Sequence, residues 1–124
     1  MHFQVVLTVV MISVLTASSA RAAPPARIAE HRSGYDYYAI GEPSAPRPAP
    51  VQPGFMLNGG GQWLRSSWTW FAERAGHGHL VILRASGDDE LQRELYLDVG
   101  GFASAQTLVF HGRDAAQDPA VLDI

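Results

Sequence analysis

Beyond Pro53 the apolar positions alternate between short continuous runs and stripes at helical spacing. Residues 54–58 read as a short apolar strand and Gly59-Gly60-Gly61 as a turn. Over residues 62–75, Leu64, Trp68, Phe71 and Ala75 fall on one helical face. A second cycle follows. His79-Leu80-Val81-Ile82-Leu83-Arg84 reads as a buried strand, and Ala85-Ser86-Gly87-Asp88 as its turn. Residues 88–99 form a helix with Leu91, Leu95 and Val99 on one face, ended by Gly100-Gly101. A third strand covers residues 105–110. Strand starts about 25 residues apart suit strand-helix-strand units wound into a parallel sheet. The expectation is α/β: a partial doubly wound parallel sheet in three layers, with three strands and two full helices. Asp118-Pro119 then signals a helix start, with Asp as N-cap and Pro at the first helical position. That helix opens just before Ile124, so the domain is expected to be incomplete at its C-terminus. About 70 residues of half-sheet are marginal alone.

Before Pro53 the pattern breaks. Pro24, Pro25, Pro43, Pro46, Pro48, Pro50 and Pro53 remove backbone donors over residues 23–53, which read as an extended arm. Its cluster of Tyr35, Tyr37 and Tyr38 suits either an ordered arm lying on the domain or a flexible linker. From Val5 to Leu15 the chain is apolar except at Thr8 and Ser13, and small residues at cleavage spacing follow. Residues 1–22 therefore read as a signal peptide cut near Ala22 or Ala23, which directs the product to the periplasm or the exterior and leaves no membrane span. A retained anchor is the alternative, since no basic residue precedes the run, although the run is short for a bilayer. The domain then occupies residues 54–124.

Composition narrows the partners. The chain has 124 residues, a formal charge of −3, 17% charged and 47% hydrophobic residues, values ordinary for a globular protein. Its nine basic residues are all Arg and never form a run, which argues against a nucleic-acid footprint. With no cysteine, disulfides, thiolate nucleophiles and Cys-ligated zinc are excluded.

The candidate chemistry is sparse. Gly59, Gly60 and Gly61, between a strand and a helix start, suit either an anion-binding turn lining a pocket or a tight turn needing positive φ. They do not make a dinucleotide fingerprint, because Leu64 stands where the third Gly belongs, and no P-loop Lys follows. No cofactor is expected. Ser86 lacks the small flanking residues of a nucleophile elbow, Arg84 and Asp88 standing there instead, and reads as a turn or cap residue. His77-Gly78-His79 looks chelating but lacks a third ligand at an obvious spacing, so no metal site is assigned. Trp63, Trp68 and Trp70 point around one helix in different directions, so at least one faces solvent or a partner.

Seven short motifs, in this order and spacing, carry a resemblance. They are Tyr35-x-Tyr37-Tyr38-x-x-Gly41, Pro53-Gly54, Gly59-Gly60-Gly61, Arg74-Ala75-Gly76-x-Gly78, Val81-x-Leu83-Arg84-Ala85-Ser86-Gly87, Ser104-x-x-Thr107-Leu108 and Arg113-x-Ala115-Ala116-x-Asp118-Pro119. Together they resemble the opening of secreted cyanophycinase-like serine peptidases, relatives of peptidase E with a fold like that of class I glutamine amidotransferases. The resemblance implies a flavodoxin-like sheet and hydrolysis of peptide or isopeptide bonds, in cyanophycinase the β-linked aspartyl-arginine polymer. It also implies that the serine elbow, its base and its acid, and a Gly-Gly-Asp-Gln pocket segment, all belong after Ile124. No catalytic residue is therefore carried over. This chain departs from the family at Gln62-Trp63, where Thr-Asp is common, and near His79, where an acidic residue is common. The chain is expected to be an inactive fragment, with a peptide substrate only if the full domain exists, and with homodimerisation open to the full-length relative. The alternatives are a non-catalytic exported binding or assembly module and a small enzyme of another class.

Overall fold

The computed structural model describes residues 24–46, 48–59 and 61–124. Four strands form one sheet: β1 (Arg27–His31), β2 (Tyr35–Gly41), β3 (His79–Arg84) and β4 (Ser104–Phe110), in the order β1-β2-β4-β3. β3 and β4 are parallel, whereas β1 with β2 and β2 with β4 are antiparallel. The α/β class holds, with a mixed sheet in place of three parallel strands. The arm supplies the difference. Residues 35–40 alternate side chains between the two faces, and Arg32 N–H bonds Tyr35 O at 2.9 Å to close a hairpin despite the surrounding prolines. Tyr35, Ala39 and Ile40 are buried. The arm is thus ordered, and β2 sits inside the sheet.

Residues 54–58, expected as a strand, carry neither strand nor helix, and Phe55 and Leu57 are 94% and 95% exposed. The physical reason lies in the pairing. β2 and β3 occupy both edges of β4, so the run has no place in the middle of the sheet.

The two expected helices form. α1 spans Arg65–Arg74 and ends in a two-bond cap: His77 N–H reaches Ala72 O and Gly76 N–H reaches Glu73 O, both at 3.0 Å. This cap turns the chain through left-handed conformations at Gly76 (φ 62°) and His77 (φ 54°). α2 spans Glu90–Glu94 and continues as a π-helical turn, Leu95–Val99, stopped by Gly100 with φ 74°. Asp88 Oδ1 accepts from Glu90 N–H at 2.9 Å and starts α2, so Asp88 supplies the side-chain bond that Ser86 was a candidate to make. A 3-10 turn (Arg113–Gln117) leads to α3 (Pro119–Leu122), where Asp118 Oδ1 accepts from Ala120 N–H at 2.9 Å, as the Asp-Pro pair predicts.

Register sorts the side chains into two layers. Ile40, Ala105 and Leu80 lie side by side across three strands and pack with Ala72, Leu95 and Phe102 beneath α1 and α2. Trp63 and Trp68 join this core edge-to-face at 6.5 Å, while Trp70 turns outward under the Arg74 guanidinium at 5.0 Å. On the opposite face Tyr35, Leu108 and Ala115 form a smaller cluster, with Phe110 and Val121 at its margin. Among the described residues, no helix is long and apolar enough to cross a membrane. The expected signal peptide, residues 1–22, lies outside them.

Candidate functional site

In α/β sheets the carboxyl ends of parallel strands are where ligands gather, because helix starts and loops converge there. Here β3 and β4 finish at Arg84 and Phe110. A depression beyond them is lined by Ala85, Phe110, His111, Gly112, Arg113 and Ala116.

One lining residue, His111, belongs to a cluster of a carboxylate and two imidazoles. Asp36 on β2 lies opposite His31 on β1 and Val109 on β4. His31 Nδ1 meets Asp36 Oδ1 at 2.8 Å, and His111 Nε2 meets Asp36 Oδ2 at 3.2 Å. A carboxylate only accepts, so each of those ring nitrogens carries a proton. His111 is fixed further by its backbone N–H, which bonds Gly34 O at 2.9 Å. The His31 bond, reinforced by the bond and charge of His111, holds the Asp36 carboxyl below the usual carboxylate range, against a smaller opposing effect of desolvation. Chemically, Asp36 orients an imidazole beside the depression, which is how a general base is positioned. Ser86, in the bend after β3, makes no side-chain hydrogen bond among the described residues, so it is not coupled to that imidazole.

The other candidates are engaged elsewhere. His79 Nε2 lies 2.8 Å from Ala45 O, which can only accept, so Nε2 is the N–H and Nδ1 accepts the Ser104 hydroxyl proton at 2.9 Å. Ser104 is fully buried, and this Ser–His pair fastens the loop after β2 to the start of β3. His77 Nδ1 lies 2.9 Å from Gly101 O, so the two histidines serve different contacts. Among the described residues no three His, Cys, Asp or Glu side chains are grouped to hold a metal ion.

Gly59 and Gly61 do not line the carboxyl-end depression, and Gly60 lies outside the described residues. Gly61 has φ 115°, which suits the tight-turn reading. α1 begins only at Arg65, and Leu64 before it offers no side-chain cap. Sequence reasoning missed His31, Asp36 and His111. Their one signal is the alternation of β2, which places Asp36 on the face of β2 that β1 presents His31 to. Comparison of the chain with protein-family models, with curated proteins and with solved structures finds no match.

Proposed function

We propose that this chain is the N-terminal part of an exported cyanophycinase-like serine peptidase domain, supplying one wall of its active site and none of its nucleophilic machinery. The proposal includes the finer fold, a flavodoxin-like winding of the class I glutamine amidotransferase type, and export through residues 1–22 to the periplasm or the exterior. The substrate class is a peptide or isopeptide bond, with β-aspartyl-arginine as the first to test.

One observation carries the reading. The parallel β3-α2-β4 unit ends in a depression beside an oriented imidazole, while the sheet beyond β3 has an open edge on which further strands fit. Acyl transfer needs a nucleophile, an oriented base and oxyanion donors within reach of one another. The buried Ser104 hydroxyl, bonded to His79, is out of reach of a substrate.

The test has two arms. The genomic DNA after the Ile124 codon is read in all frames for a Gly-Gly-Asp-Gln segment and a serine elbow, which the proposal expects. The purified chain is assayed on β-aspartyl-arginine and ordinary peptides, where no turnover is expected; turnover by this chain alone would sink the proposal. A non-catalytic exported binding module is the second reading, favoured by the exposure of Phe55 and Leu57. It gains if the DNA arm is negative and the chain unfolds cooperatively as a soluble unit.

A further inference from the structure

Residues 54–58 lie between two anchored points of the chain. Before them, Gln52 N–H bonds Arg74 O at 2.8 Å and Arg74 Nη1 bonds Pro53 O at 2.8 Å. After them, Leu64 O accepts from Ser67 N–H at 3.1 Å as α1 begins. Among the described residues, no backbone N–H or carbonyl of residues 54–59 makes a hydrogen bond, and this stretch carries neither strand nor helix. Phe55 and Leu57 stand almost wholly in solvent, Met56 is half-buried, and a Cβ on Gly59 would meet nothing within 4 Å.

An endopeptidase binds its substrate as an extended strand. Its own backbone pairs with residues on either side of the scissile bond, and a pocket takes the side chain just before that bond. Such binding needs unbonded backbone together with a large side chain free to enter the pocket. Elsewhere among the described residues the exposed large apolar side chains sit on bonded backbone. Ile28, Val81 and Leu83 lie in paired strands, and Trp70, Leu97 and Leu122 lie in helical turns. Val51 precedes the bonded Gln52, Leu64 O is taken by α1, and Ile124 follows Asp123, whose N–H bonds Pro119 O. Phe55 and Leu57 meet both conditions.

We propose that residues 54–58 are a processing site, cut after Phe55 or Leu57 by an endopeptidase with an apolar specificity pocket, and that the two pieces stay together as one folded unit. Water is the second reactant. The amide C–N bond breaks, the carbonyl carbon gains the water oxygen and becomes a carboxylate, and the nitrogen of Met56 or Asn58 leaves as a new amino terminus. Strand order keeps the product whole. The first piece carries the β1–β2 hairpin, and the second carries α1, β3, α2, β4 and α3. β2 pairs with β4 along its whole length, from Tyr35 opposite Phe110 to Gly41 opposite Ser104. Ile40 is buried with Ala72, Leu80, Leu95 and Ala105 of the second piece, and Tyr35 with Leu108 and Ala115. The cut removes a covalent tie and leaves these contacts in place.

Chymotrypsin, whose pocket takes large apolar side chains, is the probe, added sparingly to the full chain. Within residues 24–124 the first cut is expected after Phe55 or Leu57, as read from the fragments in denaturant. Without denaturant the fragments should elute together at the size of the intact chain. Phe55→Gly with Leu57→Gly, both at exposed positions, is expected to slow that cut by about tenfold or more and to leave the thermal midpoint unchanged. A first cut at any other bond of residues 24–124 would overturn the proposal, as would a double-glycine variant cut in this segment at the wild-type rate. Cleavage starting together at the buried Tyr35, Phe102 and Leu108 would show that the protease meets only unfolded chain, and would refute the site. Fragments that separate without denaturant would refute the joined product.

Discussion

The two faces of the sheet are made from the same four strands, yet only one of them is closed. Under α1 and α2, Ile40, Leu80, Leu95 and Ala105 are buried together. On the reverse, Tyr35 and Leu108 are covered by the turn at Ala115 and by Val121, while Val81 and Leu83 on the same face stay open. Both faces alternate apolar side chains, so composition does not separate them. Connectivity does. A parallel link from β3 to β4 requires a crossover, which delivers α2 to one face, whereas the β1–β2 hairpin needs no helix. The open face follows from how the strands are joined.

The largest test of that contrast compares two leucines. Leu95→Ala removes a side chain with no exposed surface and is expected to cost about 3 kcal/mol in denaturant unfolding, whereas Leu83→Ala should stay within about 0.5 kcal/mol. Equal losses would mean that the outer face is covered in solution. Next comes Gly41, at φ 89°, where a Cβ would lie 2.6 Å from Ala103 O and 3.0 Å from Ser104 Cα. Gly41→Ala should cost about 2 kcal/mol, because β2 ends and β4 begins at that contact, and a neutral result would show that the junction yields easily.

A gain is expected on the closed face. Thr107 Oγ1 is buried there and has no hydrogen-bond partner among the described residues. Thr107→Val should raise stability by about 1 kcal/mol in the same assay, and a loss would reveal a water or side chain on that hydroxyl. The smallest effect is in the carboxylate–imidazole cluster. Asp36 has a folded pKa below its unfolded one, so its contribution is complete above about pH 4 and is lost as pH falls through the folded value. Between about pH 5 and pH 3 the wild type should lose more stability than Asp36→Asn, measured as thermal midpoints, and parallel curves would remove Asp36 from the account.

The elements made by local signals were legible in the sequence. The 3.6-residue stripe of Leu64, Trp68 and Phe71 marks α1, although the helix starts three residues inside the predicted range. Leu80 to Leu83 marks β3, and Asp118-Pro119 opens α3 as expected. What was hidden depended on partners distant in the chain. β2 owes its burial to β4, and five prolines after it made the arm look unpaired. Residues 54–58 are a short apolar run, and nothing local in it tells whether a neighbouring strand receives it. The Asp36–His111 pair could not be read from spacing, since it is formed by β2 lying against β4.

One consequence of the strand order concerns the newborn chain. Of the described strands β4 comes last in sequence, yet it holds the inner position between β2 and β3, which are not paired with each other. Until Ser104–Phe110 has been synthesised, the β1–β2 hairpin and β3 have nothing to join them, and a two-stranded ribbon is marginal in water. The hairpin and β3 would thus leave the ribosome as separate pieces and set into one sheet only once β4 has followed them.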